Sequence, residues 1–162
     1  DYSQFENIKT PEVLKETFIP ELKTPLPESK ISSVRSDLPT YIYNWYNLDP
    51  KWDEQVKANR ILLLEPSIFE KYPISSKSMN FMLALTKNIA GIQIFTGEFD
   101  DFVHQYNLDD IHFKEHPLNK NYRGTEHPRD WMFNVEGYYR SFFAFWKKCK
   151  KDWKFSISQS ET

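Results

Sequence analysis

The stretch KEHPLNKNYRGTEHPRDW carries the triplet Glu-His-Pro twice, as Glu115-His116-Pro117 and Glu126-His127-Pro128. Carboxylate and imidazole groups this close in sequence suit two chemistries, a divalent metal site or an acid/base pair. A metal would need His116, His127 and a carboxylate such as Glu115, Glu126 or Asp130 to converge. Each histidine precedes a proline, which biases its backbone to extended geometry, so the side-by-side pair of a helical H-E-x-x-H site is not available. The triplets read first as polar punctuation after a strand, with metal binding as an alternative. A third reading is ligand contact by His116, which would stand at the carboxyl end of a parallel strand.

A second set of candidates lies at strand ends. Asp49, Glu65, Glu98 and Glu115 each follow a predicted strand and would gather along one edge of a parallel sheet. Convergent carboxylates hold a metal or the amino groups of a pterin or flavin. They also serve as caps, because a helix N-terminus favours negative charge. Near the end of the chain, KKCKKDWK places Lys147, Lys148, Lys150, Lys151 and Lys154 on or beside a helix, as a solvated face or as a contact for phosphates. No nucleophile, base and orienter occur together, so the residues present read as non-catalytic.

Composition narrows the classes. At 162 residues the chain is about one domain, and its formal charge of −2 gives no overall basic footprint for nucleic acid. One cysteine, Cys149, leaves no internal disulfide framework, which suits a reducing, cytoplasmic setting. Only four glycines are present, and neither G-x-G-x-x-G nor G-x-x-x-x-G-K-[ST] occurs, which argues against a dinucleotide or P-loop site. No apolar run approaches the roughly 18 residues of a membrane span. The opening DYSQFENIKT lacks the pattern of a secretory signal and reads as the continuation of something longer.

The elements that would position these groups begin after residue 40. Residues 1–40, with Pro11, Pro20, Pro25, Pro27 and Pro39, read as a connector or leader, most flexible over TPLPESKISSVRSDLP. The domain proper is 41–155, followed by a polar tail, 156–162. YIYNWYNL suits a strand covered on both faces. Asp49-Pro50 signals the start of a short helix over KWDEQVKA. ILLLEP is a second strand. Ser75 and Ser76 open a helix to about Ile89, with Met79, Met82, Leu83, Leu85 and Ile89 on or near one face, and Gly91 closes it. IQIFTG, EFDDFVHQY and DIHFKEHP follow as strand, short helix and strand. A final helix from about Tyr138 to Trp153 aligns Phe142, Phe145, Trp146, Cys149 and Trp153 in one apolar stripe, expected to pack on the chain's own sheet with Cys149 as a core residue. Trp45 and Trp131 are expected to pack in or beside the core. The alternation predicts an α/β fold, a doubly wound and mostly parallel sheet of about four or five strands with helices on both faces.

From Arg60 to Pro117 the chain resembles the α/β antenna-type domain of the DNA photolyase and cryptochrome flavoproteins. The matching pieces are RILLLEP, KSMNFMLALTKNI, IQIFTGEFDDFV and DDIHFKEHP, with YIYNWYNLDPKW in the first-strand position. Of that family's Arg-rich, Asp-containing loop after the first strand, only Asp49 has a counterpart. The wording as a whole is closer to the C-terminal part of a bacterial subgroup in which the flavin-binding helical domain lies upstream. The resemblance implies an accessory domain in a protein of light-dependent DNA repair or blue-light sensing, with FAD and lesion DNA bound by the full-length lyase rather than by these residues. It implies an upstream flavin domain as intramolecular partner. In that family this domain sometimes carries an antenna chromophore, for which Asp49, Glu65, Glu98 and His116 would be the binding residues here. The alternative is a non-catalytic interaction module without a bound small molecule.

Overall fold

Ile61, Leu62, Leu63 and Leu64 form a run with no polar side, and such a run is stable as a strand only between two apolar layers. In the structure, a computed structural model describing residues 12–17, 21–129 and 132–153, that layering is present. Pro11, Pro20, Asp130, Trp131, Lys154, the side chain of Trp153 and the tail 156–162 lie outside the described residues.

Five strands, β1 (Thr40–Tyr43), β2 (Asn59–Leu64), β3 (Ile92–Thr96), β4 (Ile111–Lys114) and β5 (Thr125–His127), form one sheet in the order β3-β2-β1-β4-β5. Every pairing among these five is parallel. The helices are α1 (Pro66–Lys71), α2 (Ser76–Leu85), α3 (Phe99–Tyr106) and α4 (Phe142–Trp153). Side chains alternate across each strand. Ile42, Ile61, Leu63, Phe95, Ile111 and Phe113 meet Phe99 and Phe102 of α3 on one face. Leu62 and Leu64 meet Phe69 of α1 and Met79 and Met82 of α2 on the other, where Tyr41, Tyr43, Trp52 and Ile89 form a second cluster. The chain is therefore an α/β domain with helices on both faces of a parallel sheet.

Local signals act as the sequence indicates at several points. Ser75 caps α2 by accepting from the Ser78 N–H, and Gly91 takes φ 70 after it. Gly124, at φ 136, begins β5 so close to β4 that a Cβ there would collide with the Ile111 carbonyl.

Three expectations are corrected. KWDEQVKA is a series of turns rather than a helix. The buried Arg60 guanidinium donates to the carbonyls of Trp52, Asp53 and Val56 and to the Tyr43 hydroxyl, and Asp53 sits at φ 45. Those carbonyls serve the guanidinium instead of a helical ladder. The second Glu-His-Pro triplet is not punctuation, since Thr125–His127 is the edge strand. The segment expected to be most flexible lies along β3. Lys30 exchanges backbone bonds with Ile94, Gln93 accepts from Ser32, Thr96 donates to the Pro27 carbonyl, and Ile31 and Val34 pack against the core.

Candidate functional site

In this strand order β1 runs on to β2 on one side and has β4 on the other. The gap outside the carboxyl ends of β1 and β4 is the place where open parallel sheets receive ligands. β1 stops because Asn44 turns the chain: its side chain accepts from the Tyr46 N–H at 2.8 Å, and Asn47 Oδ1 accepts from the Asn44 N–H at 2.6 Å. Across the gap, β4 runs into Glu115 and His116. Asn44 donates to Asn119 Oδ1 at 3.2 Å, and Asn119 donates to the Lys114 carbonyl at 2.8 Å.

Beside them lies a cavity of about 370 Å³ lined by Tyr46, Asn47, Asp49, Lys114, Glu115, His116 and Arg129. The Tyr46 and His116 rings are stacked, 4.5 Å between centroids and 17° between planes. His116 is extended at φ −158, as its proline demands, and its Nδ1 accepts from the Leu118 N–H at 3.2 Å. Burial, and then the nearby Arg129 charge, hold its pKa below the ordinary histidine value. The neutral ring therefore keeps its hydrogen on Nε2. Glu115 accepts from Arg129 at 2.7 Å, and Asp49 accepts from the Lys51 N–H at 2.8 Å. The Asn47 side-chain nitrogen is buried with no hydrogen-bond partner. A buried donor of this kind is costly unless something accepts from it.

Glu65 and Glu98 do not join this cavity. They line a separate one of about 230 Å³ with Ser67, Asp100, Asn121 and Tyr122. Glu65 precedes α1 but accepts from the N–H of Phe99, the first residue of α3, at 3.3 Å, and from the Tyr122 hydroxyl. Glu98 precedes α3 but accepts from Ser67 of α1 through its N–H at 3.0 Å and its hydroxyl at 2.8 Å. The two carboxylates exchange helices. Burial pushes the Glu65 pKa up, while the bonds from Tyr122 and Phe99 pull it down. Of the four strand-end acids, Asp49 and Glu115 thus gather with His116, whereas Glu65 and Glu98 cap helices.

The two triplet histidines also part company. His127 lies against His112 of β4, with His112 Nδ1 and His127 Nε2 separated by 2.9 Å, and Asp110 Oδ1 is 3.0 Å from His112 Nε2. The sequence reading passed over Arg60, Asn119 and this pair. The recurrence of His112 and Lys114 at alternate positions of β4 was the available signal for the pair. Among the described residues, no three His, Cys, Asp or Glu side chains are arranged to hold a metal ion. No helix of the described residues is long and apolar enough to cross a membrane.

At the end of the chain Cys149 is buried, but the apolar stripe is only partly covered. Phe145 and Trp146 are half-buried, against Tyr139 and Phe133 respectively, while Phe142 is 67% exposed. Phe143, beside it, is 79% exposed. The expectation that the stripe packs on the sheet is corrected: among the described residues no α4 side chain belongs to the clusters that cover the sheet, Phe145 and Trp146 lie against the 133–139 segment, and no apolar layer covers Phe142. Lys147, Lys148, Lys150 and Lys151 are exposed. Trp45 packs on Phe69, 4.5 Å between ring centroids. Comparison of the chain with family models, with curated proteins and with solved structures gave no match.

Proposed function

We propose that this domain is the accessory α/β domain of a photolyase- or cryptochrome-like flavoprotein, and that the cavity at its switch point takes a planar chromophore with an amino and oxo edge, of the pterin class. The observation that carries the reading is the Tyr46–His116 stack beside Asp49, Glu115 and the unpartnered Asn47 nitrogen. Stacked rings receive a flat heterocycle on their faces. Carboxylates accept from its amino and ring N–H groups, while the Asn47 amide donates to its carbonyl. A volume of about 370 Å³ is enough for a bicyclic ring system. FAD belongs, on this reading, to an upstream helical domain, and repair or signalling chemistry to the whole protein. Titration of the chain with pterin, followed by the ligand's fluorescence, tests the site. Saturable quenching that is lost in Tyr46→Ala supports it, and quenching equal in the two proteins removes it.

The second reading, an interaction module without a small molecule, is favoured by Phe142 and Phe143, whose rings meet each other in the open. Exposed aromatics in a group mark a contact surface.

A further inference from the structure

The histidine pair lies beyond the ligand site, on the face of the sheet that carries Tyr41. His112 is on β4 and His127 on β5, and the strand ladder alone holds β5 by only three residues. Asp110 Oδ1 accepts from His112 Nε2, so a neutral His112 offers a bare Nδ1, which accepts from His127 Nε2–H across 2.9 Å. This side-chain bond and the backbone bond from Glu115 N–H to the His127 carbonyl, 2.7 Å, fasten the same residue of β5. Two residues on, Arg129 reaches Glu115. Glu115 lines both the switch-point cavity and a second cavity of about 460 Å³ that contains Phe133, Val135 and Phe145. The Glu115–Arg129 pair thus borders two spaces, and β5 sets where Arg129 stands.

We infer that the His112–His127 bridge is an acid-released latch on β5, which holds Arg129 against Glu115 while one of the facing ring nitrogens is bare and frees it when both rings are protonated. A proton reaching His127 enters a half-buried site. Tyr41 of β1 is stacked on His112 at 4.7 Å and carries no charge, its hydroxyl being pushed up to about 12 by burial and by Asp53. Arg60 of β2 lies over the far ring of that stack, 5.3 Å from the Tyr41 centroid. The Trp52 ring meets His127 edge-on at 5.5 Å, and Lys114 of β4 lies over Trp52. Asp53 favours the proton on His127, but burial, His112 and Lys114 oppose it, and the balance is a lowered affinity. Release of β5 returns the ring to water and its ordinary affinity. A proton on each ring makes the latch untenable, since two N–H groups would then face each other across 2.9 Å.

The sign follows from linkage. A histidine whose proton affinity is lowered in the latched state holds the latch fully above the ordinary histidine value of 6.5, and loses it as pH falls from there through the lowered value. One proton taken up on release makes the opening equilibrium rise by up to about tenfold per pH unit in that window.

The experiment needs no ligand, so its failure leaves the pterin reading untouched. Amide hydrogen exchange at Glu115 is measured on the whole chain between pH 7.5 and 5.5, corrected for intrinsic exchange. In the native protein, protection of the Glu115 amide should fall across the range, by no more than about tenfold. In His127→Gln, whose side-chain NH₂ can donate to His112 without titrating, protection should be flat. Long-range ¹H–¹⁵N spectra of the imidazoles should show both rings of the native chain protonated on Nε2 at pH 7.5. Equal pH dependence in the two proteins overturns the latch, as does a His112 ring protonated on Nδ1 at pH 7.5.

Discussion

Asn44 and Asn119 are bonded across the gap between β1 and β4, Nδ2 to Oδ1 at 3.2 Å, with both residues buried. That bond spans the one place where neighbouring strands lead away to opposite sides of the sheet. The Asn119 amide also satisfies the Lys114 carbonyl, so a single side chain ends β4 and joins it to β1.

Replacing Asn119 with Ala leaves the Asn44 amide and the Lys114 carbonyl without their partner. A loss of about 1–3 kcal/mol is expected, the cost of buried polar groups left unsatisfied. Urea unfolding measures it, and an unchanged midpoint would show that this bond is not needed.

Arg60 is 7% exposed and grips three carbonyls of the 52–56 loop with a planar fork. Arg60→Lys keeps the charge but cannot reproduce that geometry. The expected loss is about 1.5–3 kcal/mol, that of hydrogen bonds to a charged group. Tryptophan fluorescence should report it as loosening around Trp52, and a fully native-like lysine variant would contradict the assignment.

Glu65 carries a pH prediction. Its pKa is raised in the folded chain, chiefly by burial, so the folded state binds this proton more readily than the unfolded one. The contribution is fully present below the ordinary value of 4.5 and is lost as pH rises through the folded value. Relative to Glu65→Gln, the native chain should therefore lose stability as pH is raised from about 4.5 towards neutrality. Denaturant midpoints of the two proteins measured over that range check the sign, and a difference that grows the other way would contradict it.

The exposed phenylalanines separate packing from association. Phe142→Ser with Phe143→Ser should change the unfolding free energy by no more than about 0.5 kcal/mol each, as for surface positions. A fall of several kcal/mol would mean that these rings are covered after all.

The elements legible in the sequence were those whose stability is local or whose burial is complete. ILLL and IQIFT have no polar side to expose, and the Ser75 cap and Gly91 stop are properties of single residues. KWDEQVKA was misread because its fate is decided by Arg60, whose guanidinium takes the carbonyls that a helix needs. TEH has neither apolar character nor length, and it is a strand only because Gly124 lets the chain approach β4 and His112 meets His127. Asp49, Glu115 and His116, each placed after a strand, line one cavity. Glu65 and Glu98 met the same criterion, yet cap helices, because the side to which a strand-end carboxylate turns depends on which helix starts next to it in space. Phe142 shows the limit of periodicity, which defines a face without saying whether anything covers it.

The run of backbone along β3 gives the sheet a polarity of assembly. Lys30 and its neighbours occupy the hydrogen-bonding groups of one margin, while among the described residues no strand lies beyond β5 at the other. A sheet open on both sides can be extended without end by further copies, whereas one sealed on a side can accept a single neighbour and then presents a closed margin again. Addition of another strand at β3 therefore first requires the 27–33 segment to be peeled away.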